Sequence, residues 1–137
     1  MRDPVTSIRN ALERALDAMT PALPTAHQNE GYEPQTGVAY QEAYLLRADP
    51  DNSTLGDGYY QERGVFQVTL KYPLGQGTAA CEARAGMIRN LFARGATFAA
   101  DGITVQIDKT PTIGDGLPDG DAWSQSMKIR WHADVFL

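Results

Sequence analysis

The sequence predicts an α+β two-layer sandwich, a mainly antiparallel sheet with two helices packed on one face. Three observations carry that expectation. Two segments repeat apolar residues at helical spacing, and at least three others alternate apolar and polar residues with the period of a strand. The links between neighbouring strands are turn-rich and mostly short, which suits antiparallel neighbours better than crossovers. The predicted order is α-β-β-β-α-β-β, all within one domain over residues 1–137.

The first helix rests on Val5, Ile8, Leu12, Ala15, Leu16 and Met19, which form one apolar stripe at steps of three and four. Asp3 or Thr6 is placed to cap its start, Arg9 and Glu13 sit one turn apart, and Thr20-Pro21 stops it. A short strand is expected at Thr25 to Asn29 and a second from Tyr40 to Ala48, with Tyr44, Leu46 and Ala48 on one side. Between this strand and the next, Asp49 to Gly58 is almost wholly turn residues.

From Tyr59 to Tyr72 the alternation is regular, with Phe66, Val68, Leu70 and Tyr72 on one face, and Pro73 ends the run. The second helix follows Gly75 to Thr78, with Thr78 as its cap and Ala80, Ala83, Met87, Ile88 and Leu91 as its apolar stripe. Ile103, Val105 and Ile107 mark a fourth strand. Gly114 to Asp121 is then expected to be an acidic loop, and the last strand turns Met127, Ile129, Trp131, Ala133 and Val135 inward and Lys128, Arg130, His132 and Asp134 outward.

Composition narrows the function. Seventeen acidic against 12 basic residues give a net charge of −5, and no Lys/Arg cluster of the kind that displaces counterions from a nucleic-acid backbone occurs. The single cysteine, Cys81, has no internal disulfide partner and suits a reducing compartment as a small buried apolar residue. No run approaches the roughly 20 apolar residues that span a bilayer, so a soluble protein made and kept in a cytoplasm is expected, with no membrane partner.

The search for chemistry assigns no catalytic, metal-binding or cofactor-binding residue. His27 and His132 have no partner at ligand spacing. The loop at Asp49, Asp51 and Ser53 begins like a calcium loop, but Thr54 stands where its glycine belongs and Tyr60 where its glutamate belongs. Gly75-Gln76-Gly77 precedes a helix without the lysine of a phosphate cradle. A binding or structural role is therefore favoured over an enzymatic one.

The stretch Asp49 to Tyr60, followed by Gly64-Val65-Phe66-Gln67-Val68 and Tyr72-Pro73-Leu74-Gly75-Gln76-Gly77, resembles phage and prophage tail-terminator proteins. The opening Ile8 to Leu12 helix and the closing segment Arg130 to Phe136 are similar to that family as well, so the resemblance covers nearly the whole chain. It implies a structural minor tail protein of the virion, assembled in the host cytoplasm and related to the lambda-type terminator. By that resemblance the subunit forms a hexameric ring that caps the tail tube and offers the surface joining tail to head, with the tail-tube protein and head–tail connector proteins as partners and no cofactor.

Under that reading Asp49, Asp51, Leu55, Asp57, Tyr59 and Tyr60 are expected at an assembly interface. Asp115, Asp119 and Asp121 are expected to line the lumen, where like-charge repulsion lets DNA pass without specific binding. The alternatives are a head-completion or connector ring protein and a small ligand-binding domain.

Overall fold

The computed structural model describes residues 3–53, 56 and 58–136. Its elements are α1 (Pro4–Asp17), β1 (Thr25–His27), β2 (Tyr40–Arg47), β3 (Tyr59–Pro73), α2 (Ala79–Leu91), β4 (Thr97–Ala100), β5 (Ile103–Ile107), β6 (Thr112–Ile113), β7 (Leu117–Asp119) and β8 (Ala122–Phe136). The α+β class stands, with the sheet antiparallel except where β1 runs parallel to β2. The predicted order is corrected by β4, β6 and β7. These strands are only two to four residues long, too short to show an alternation.

The sheet runs β1-β2-β3-β8-β5-β4, with β6 and β7 also paired to β8. It curls into a half-barrel, so the flat two-layer arrangement expected from sequence is replaced by a trough that the helices fill. At its centre β3 and β8 pair over 15 residues, from Tyr59↔Phe136 to Pro73↔Ala122. Strands of that length accumulate the right-handed twist that bends a sheet. α1 packs on β4 and β5 at one margin of the trough, and α2 packs on β3.

The core follows the strand period. Phe66, Val68 and Leu70 of β3 and Met127, Ile129, Trp131 and Ala133 of β8 are buried on one face, against Ile8, Leu12 and Leu16 of α1 and Cys81, Ala85 and Ile88 of α2. Gly64 sits where a methyl group would lie 2.1 Å from the Leu46 carbonyl oxygen and 3.0 Å from the Trp131 ring, so only a residue without a side chain fits there.

α1 is capped as expected but ends at Asp17, short of the Thr20-Pro21 stop, so that Met19 of the predicted stripe lies beyond it. The Asp3 carboxylate accepts from the Val5 N–H at 3.1 Å, and Arg9 pairs with Glu13 at 3.3 Å. Val5, however, is exposed, and Ser7 takes its place in the buried stripe, donating to Asp101.

The register decides which side of β2 is buried, and the predicted stripe of α2 is turned. On β2 the buried residues are Gln41, Ala43 and Leu45, while Tyr44 is half-buried and Leu46 and Ala48 are exposed. Pairing of Gln41, Ala43 and Leu45 with Leu70, Val68 and Phe66 fixes that parity, and the register overrides local hydrophobicity. On α2 the buried stripe is Cys81, Arg84, Ala85 and Ile88, with Phe92 closing it, whereas Ala80 and Ala83 are exposed. Thr78 is the N-cap residue, but its hydroxyl makes no capping bond.

Candidate functional site

The helices cover only one face of the sheet. Along β3 and β8 the other face carries Tyr59, Gln61, Arg63, Val65, Gln67 and Lys71 opposite Phe136, Asp134, His132, Arg130, Lys128 and Ser124. Leu46 of β2 continues that row beside Val65. Leu46 is 48% exposed and Phe136 70% exposed.

This outer face divides into two patches. At its end, Tyr59 and Phe136 lie with ring centroids 5.1 Å apart, and the Tyr59 hydroxyl donates to the Asp134 carboxylate at 2.6 Å. The Gln61 amide also donates to Asp134, at 3.1 Å. Those two bonds, the tyrosine's first, hold the Asp134 carboxyl below its usual range, and the same bond pushes the Tyr59 phenol up. Asp49 and Asp51 flank the patch. The Asp49 carbonyl accepts from Arg63 at 3.2 Å, and Asp51 exchanges backbone hydrogen bonds with Gln61 at 2.8 and 2.9 Å.

Nearer the centre, Arg130, Arg63, Val65, Ala48, Asp108 and the edge of Trp131 line a shallow hollow of about 290 Å³. Asp108 is hydrogen-bonded to His132. Lys128 and Arg130 are exposed, and neither side chain is hydrogen-bonded or ion-paired among the described residues.

The residues expected at an interface thus fall partly together. Asp49, Asp51 and Tyr59 converge, but Tyr60 points to the core side opposite Val135, and Leu55 and Asp57 lie outside the described residues. Phe136 and Asp134 join the patch from the other end of the chain. Sequence reading placed Asp134 outward but had no signal that it would meet Tyr59, since that pairing is set by a register spanning 75 positions.

The second acidic loop is more structured than expected. Leu117–Asp119 is strand β7, folded back on β8 at Asp119↔Ala122, and the Gly116 backbone lies so close to the Trp123 ring that a side chain there would clash. Asp119 is bonded to Lys71 at 2.5 Å, a contact that holds its carboxyl below its usual range. Burial pulls the Lys71 ammonium down, but Asp119 and Glu42 outweigh it, and the net shift is up. Asp115 and Asp121 are exposed and have no ion pair among the described residues. Of the three, Asp119 alone is neutralised by a neighbour.

A polar cleft of about 180 Å³ beside this pair is lined by Tyr40, Lys71, Asp119 and Asp121. It holds no histidine or cysteine, and its lysine is already engaged by Asp119. Cys81 is buried and its thiol is pushed up to about 11 by burial, far from the depressed range of a nucleophile. His27 contacts Asp17 at 3.0 Å and Glu30 at 3.4 Å, tying the end of α1 to β1. Among the described residues no group of three or more His, Cys, Asp or Glu is placed to hold a metal ion, and no helix is long and apolar enough to cross a membrane.

A surface of this kind, apolar and charged but without converging reactive groups, suits contact with other proteins. Comparison with known families is decisive on the class, because the model of the phage tail terminator protein family matches residues 7–131. The chain belongs to that family. Four solved chains match, and one of them, from a protein whose name states no activity, is 27% identical over 95% of both chains with a TM-score of 0.77. No curated protein matches. The match makes the chain a structural phage tail protein and a component of the virion tail, in a family of structural rather than enzymatic proteins.

Proposed function

We propose that this terminator-family subunit assembles into a ring that caps the tail tube and presents the surface to which the head is joined. The family match across residues 7–131 carries the reading. The outer sheet face supports it, since it leaves Phe136 70% exposed at one end and Leu46 48% exposed further along, apolar side chains that a subunit contact would cover. Assembly takes place in the host cytoplasm, before the tail meets the filled head, and the contacted partners are the tail-tube protein and the head–tail connector proteins.

In this ring Asp49, Asp51 and Tyr59 contribute to subunit or tube contacts. Asp115 and Asp121, the two unpaired carboxylates of the second acidic loop, face the lumen with Asp119 beside them, where they repel the DNA backbone. The test is electron microscopy of the purified protein alone and mixed with tail-tube protein. Rings seated on one end of the tubes are expected. Rings that seat on portal or adaptor assemblies and ignore tubes would instead indicate a head-completion or connector ring.

A further inference from the structure

The two patches on the outer sheet face are complementary to each other. One is an aromatic knob, Tyr59 packed at a tilt against Phe136, with Asp134 bonded to Tyr59, Asp51 bridged to Gln61 beside it, and Asp49 on the side towards Arg63. The other is a shallow hollow of about 290 Å³ beside the exposed Leu46, rimmed by Arg63, Arg130 and, one outward step along β8, Lys128. Within one chain the aromatic pair does not reach the hollow, although Arg63 on the hollow's rim donates to the Asp49 carbonyl between the two patches. Tyr59 and Val65 share a strand six positions apart, or about 20 Å at the rise of an extended chain.

We propose that the aromatic and acidic tip of one copy docks into the cationic hollow of the next copy, and that this tip-to-face contact joins subunits of the ring. The inference rests on the ring reading above and specifies its contact. Its chemistry is that of a protein interface, an aromatic anchor entering a depression whose rim carries opposite charge. Arg63 and Arg130 are placed to lie against an entering ring, and guanidinium groups stack well on aromatic faces.

Charge selects the occupant. The chain is acidic overall, at −5, yet among the described residues Lys128 and Arg130 stand on this face without an anionic partner. The one carboxylate in the hollow, Asp108, is occupied by His132. A second copy supplies the missing anions from Asp49, Asp51 and Asp134. The tip lies at the end of the β3–β8 ladder and the hollow on its broad side. A contact between unlike surfaces can repeat from copy to copy, and it makes a ring where the rotation between copies closes.

The test uses charge reversal on exposed positions, so that folding is preserved. Three forms of the full chain are compared with the unmodified protein by sedimentation at low and high salt: Lys128→Glu with Arg130→Glu, Asp49→Lys with Asp51→Lys, and all four together. Self-association of the unmodified chain should weaken with salt. Each pair of reversals should weaken it at least about tenfold, and the fourfold variant should recover most of that loss because both signs are exchanged.

Phe136→Ala should weaken association without altering the circular dichroism spectrum. Self-association untouched by either reversal, or reversals that fail to rescue one another, would overturn the contact, as would an unmodified chain that stays monomeric at millimolar concentration. The ring reading has its own readout. Rings on tube ends that survive every reversal would leave that reading standing and remove this contact, whereas salt-sensitive self-association without tube binding would do the reverse.

Discussion

The two faces of the β3–β8 ladder are built from alternate residues of the same strands, and they have opposite constraints. The inner row, Phe66, Val68, Leu70, Met127, Ile129 and Trp131, is wholly buried and closed by two helices. The outer row mixes Arg63, Val65, Lys128 and Arg130 with Tyr59 and Phe136, and among the described residues no helix packs on it. The first row determines whether the trough folds. The second has almost no influence on folding, which leaves it free to be shaped by what the protein touches. Family membership and an uncovered, chemically divided face therefore point the same way.

The sharpest way to break that contrast is to truncate one residue from each row. Trp131→Ala should cost about 3–5 kcal/mol, from the lost burial of the largest core side chain and the cavity left between Gly64 and the helices. Lys128→Ala, three positions away, should lie within about 0.5 kcal/mol of the unmodified protein. Denaturant midpoints measure both. A large loss at Lys128 would mean that the outer face is part of the folding unit, and the division drawn between the two rows would fail.

A smaller effect sharpens the comparison from inside the core. Arg84 of α2 is 4% exposed and donates from Nη1 to the Pro21 carbonyl, but its Nε and Nη2 have no partner. A buried cation with unsatisfied donors is a net cost unless something outside the chain completes it. Arg84→Met should therefore raise stability by about 1 kcal/mol, read again from the denaturant midpoint. Destabilisation by a similar amount would show that the bond to Pro21, which tethers the turn after α1, outweighs the two idle donors.

What the sequence revealed of these rows was uneven for physical reasons. β3 and β8 were legible because they are long and half-buried, so their alternation is strict. On β2 the sequence groups Tyr44, Leu46 and Ala48 on one side but leaves open which side is buried. Its Tyr44 and Leu46 are the larger apolar residues, yet they stand on the outer face, and Gln41 is accommodated inside by donating its amide to Thr25 at 2.9 Å. α2 was read rotated because alanines at 80 and 83 resemble a stripe, while the true stripe includes Arg84. The candidate interface was visible only as the acidic stretch from Asp49. Its other half, Asp134 and Phe136, is brought there by the register of β8 on β3, and no local pattern encodes that meeting.

The smallest prediction tests that meeting directly. Tyr59→Phe keeps the ring on Phe136 and removes only the hydroxyl that bonds Asp134. In the folded protein the bond lowers the Asp134 carboxyl and raises the Tyr59 phenol. For the carboxyl, stabilisation is complete above the unfolded value of about 3.9 and is lost as pH falls through the lower folded value. For the phenol, stabilisation is complete below the unfolded value of about 10 and is lost as pH rises through the higher folded one. The stability difference between the unmodified chain and Tyr59→Phe should thus be flat between about pH 5 and pH 9 and shrink at both extremes. A difference that stays constant through the acid limb would mean that the hydroxyl does not hold Asp134 in solution. The aromatic tip would then keep its stacked rings but lose the bond that fixes the acidic rim beside them.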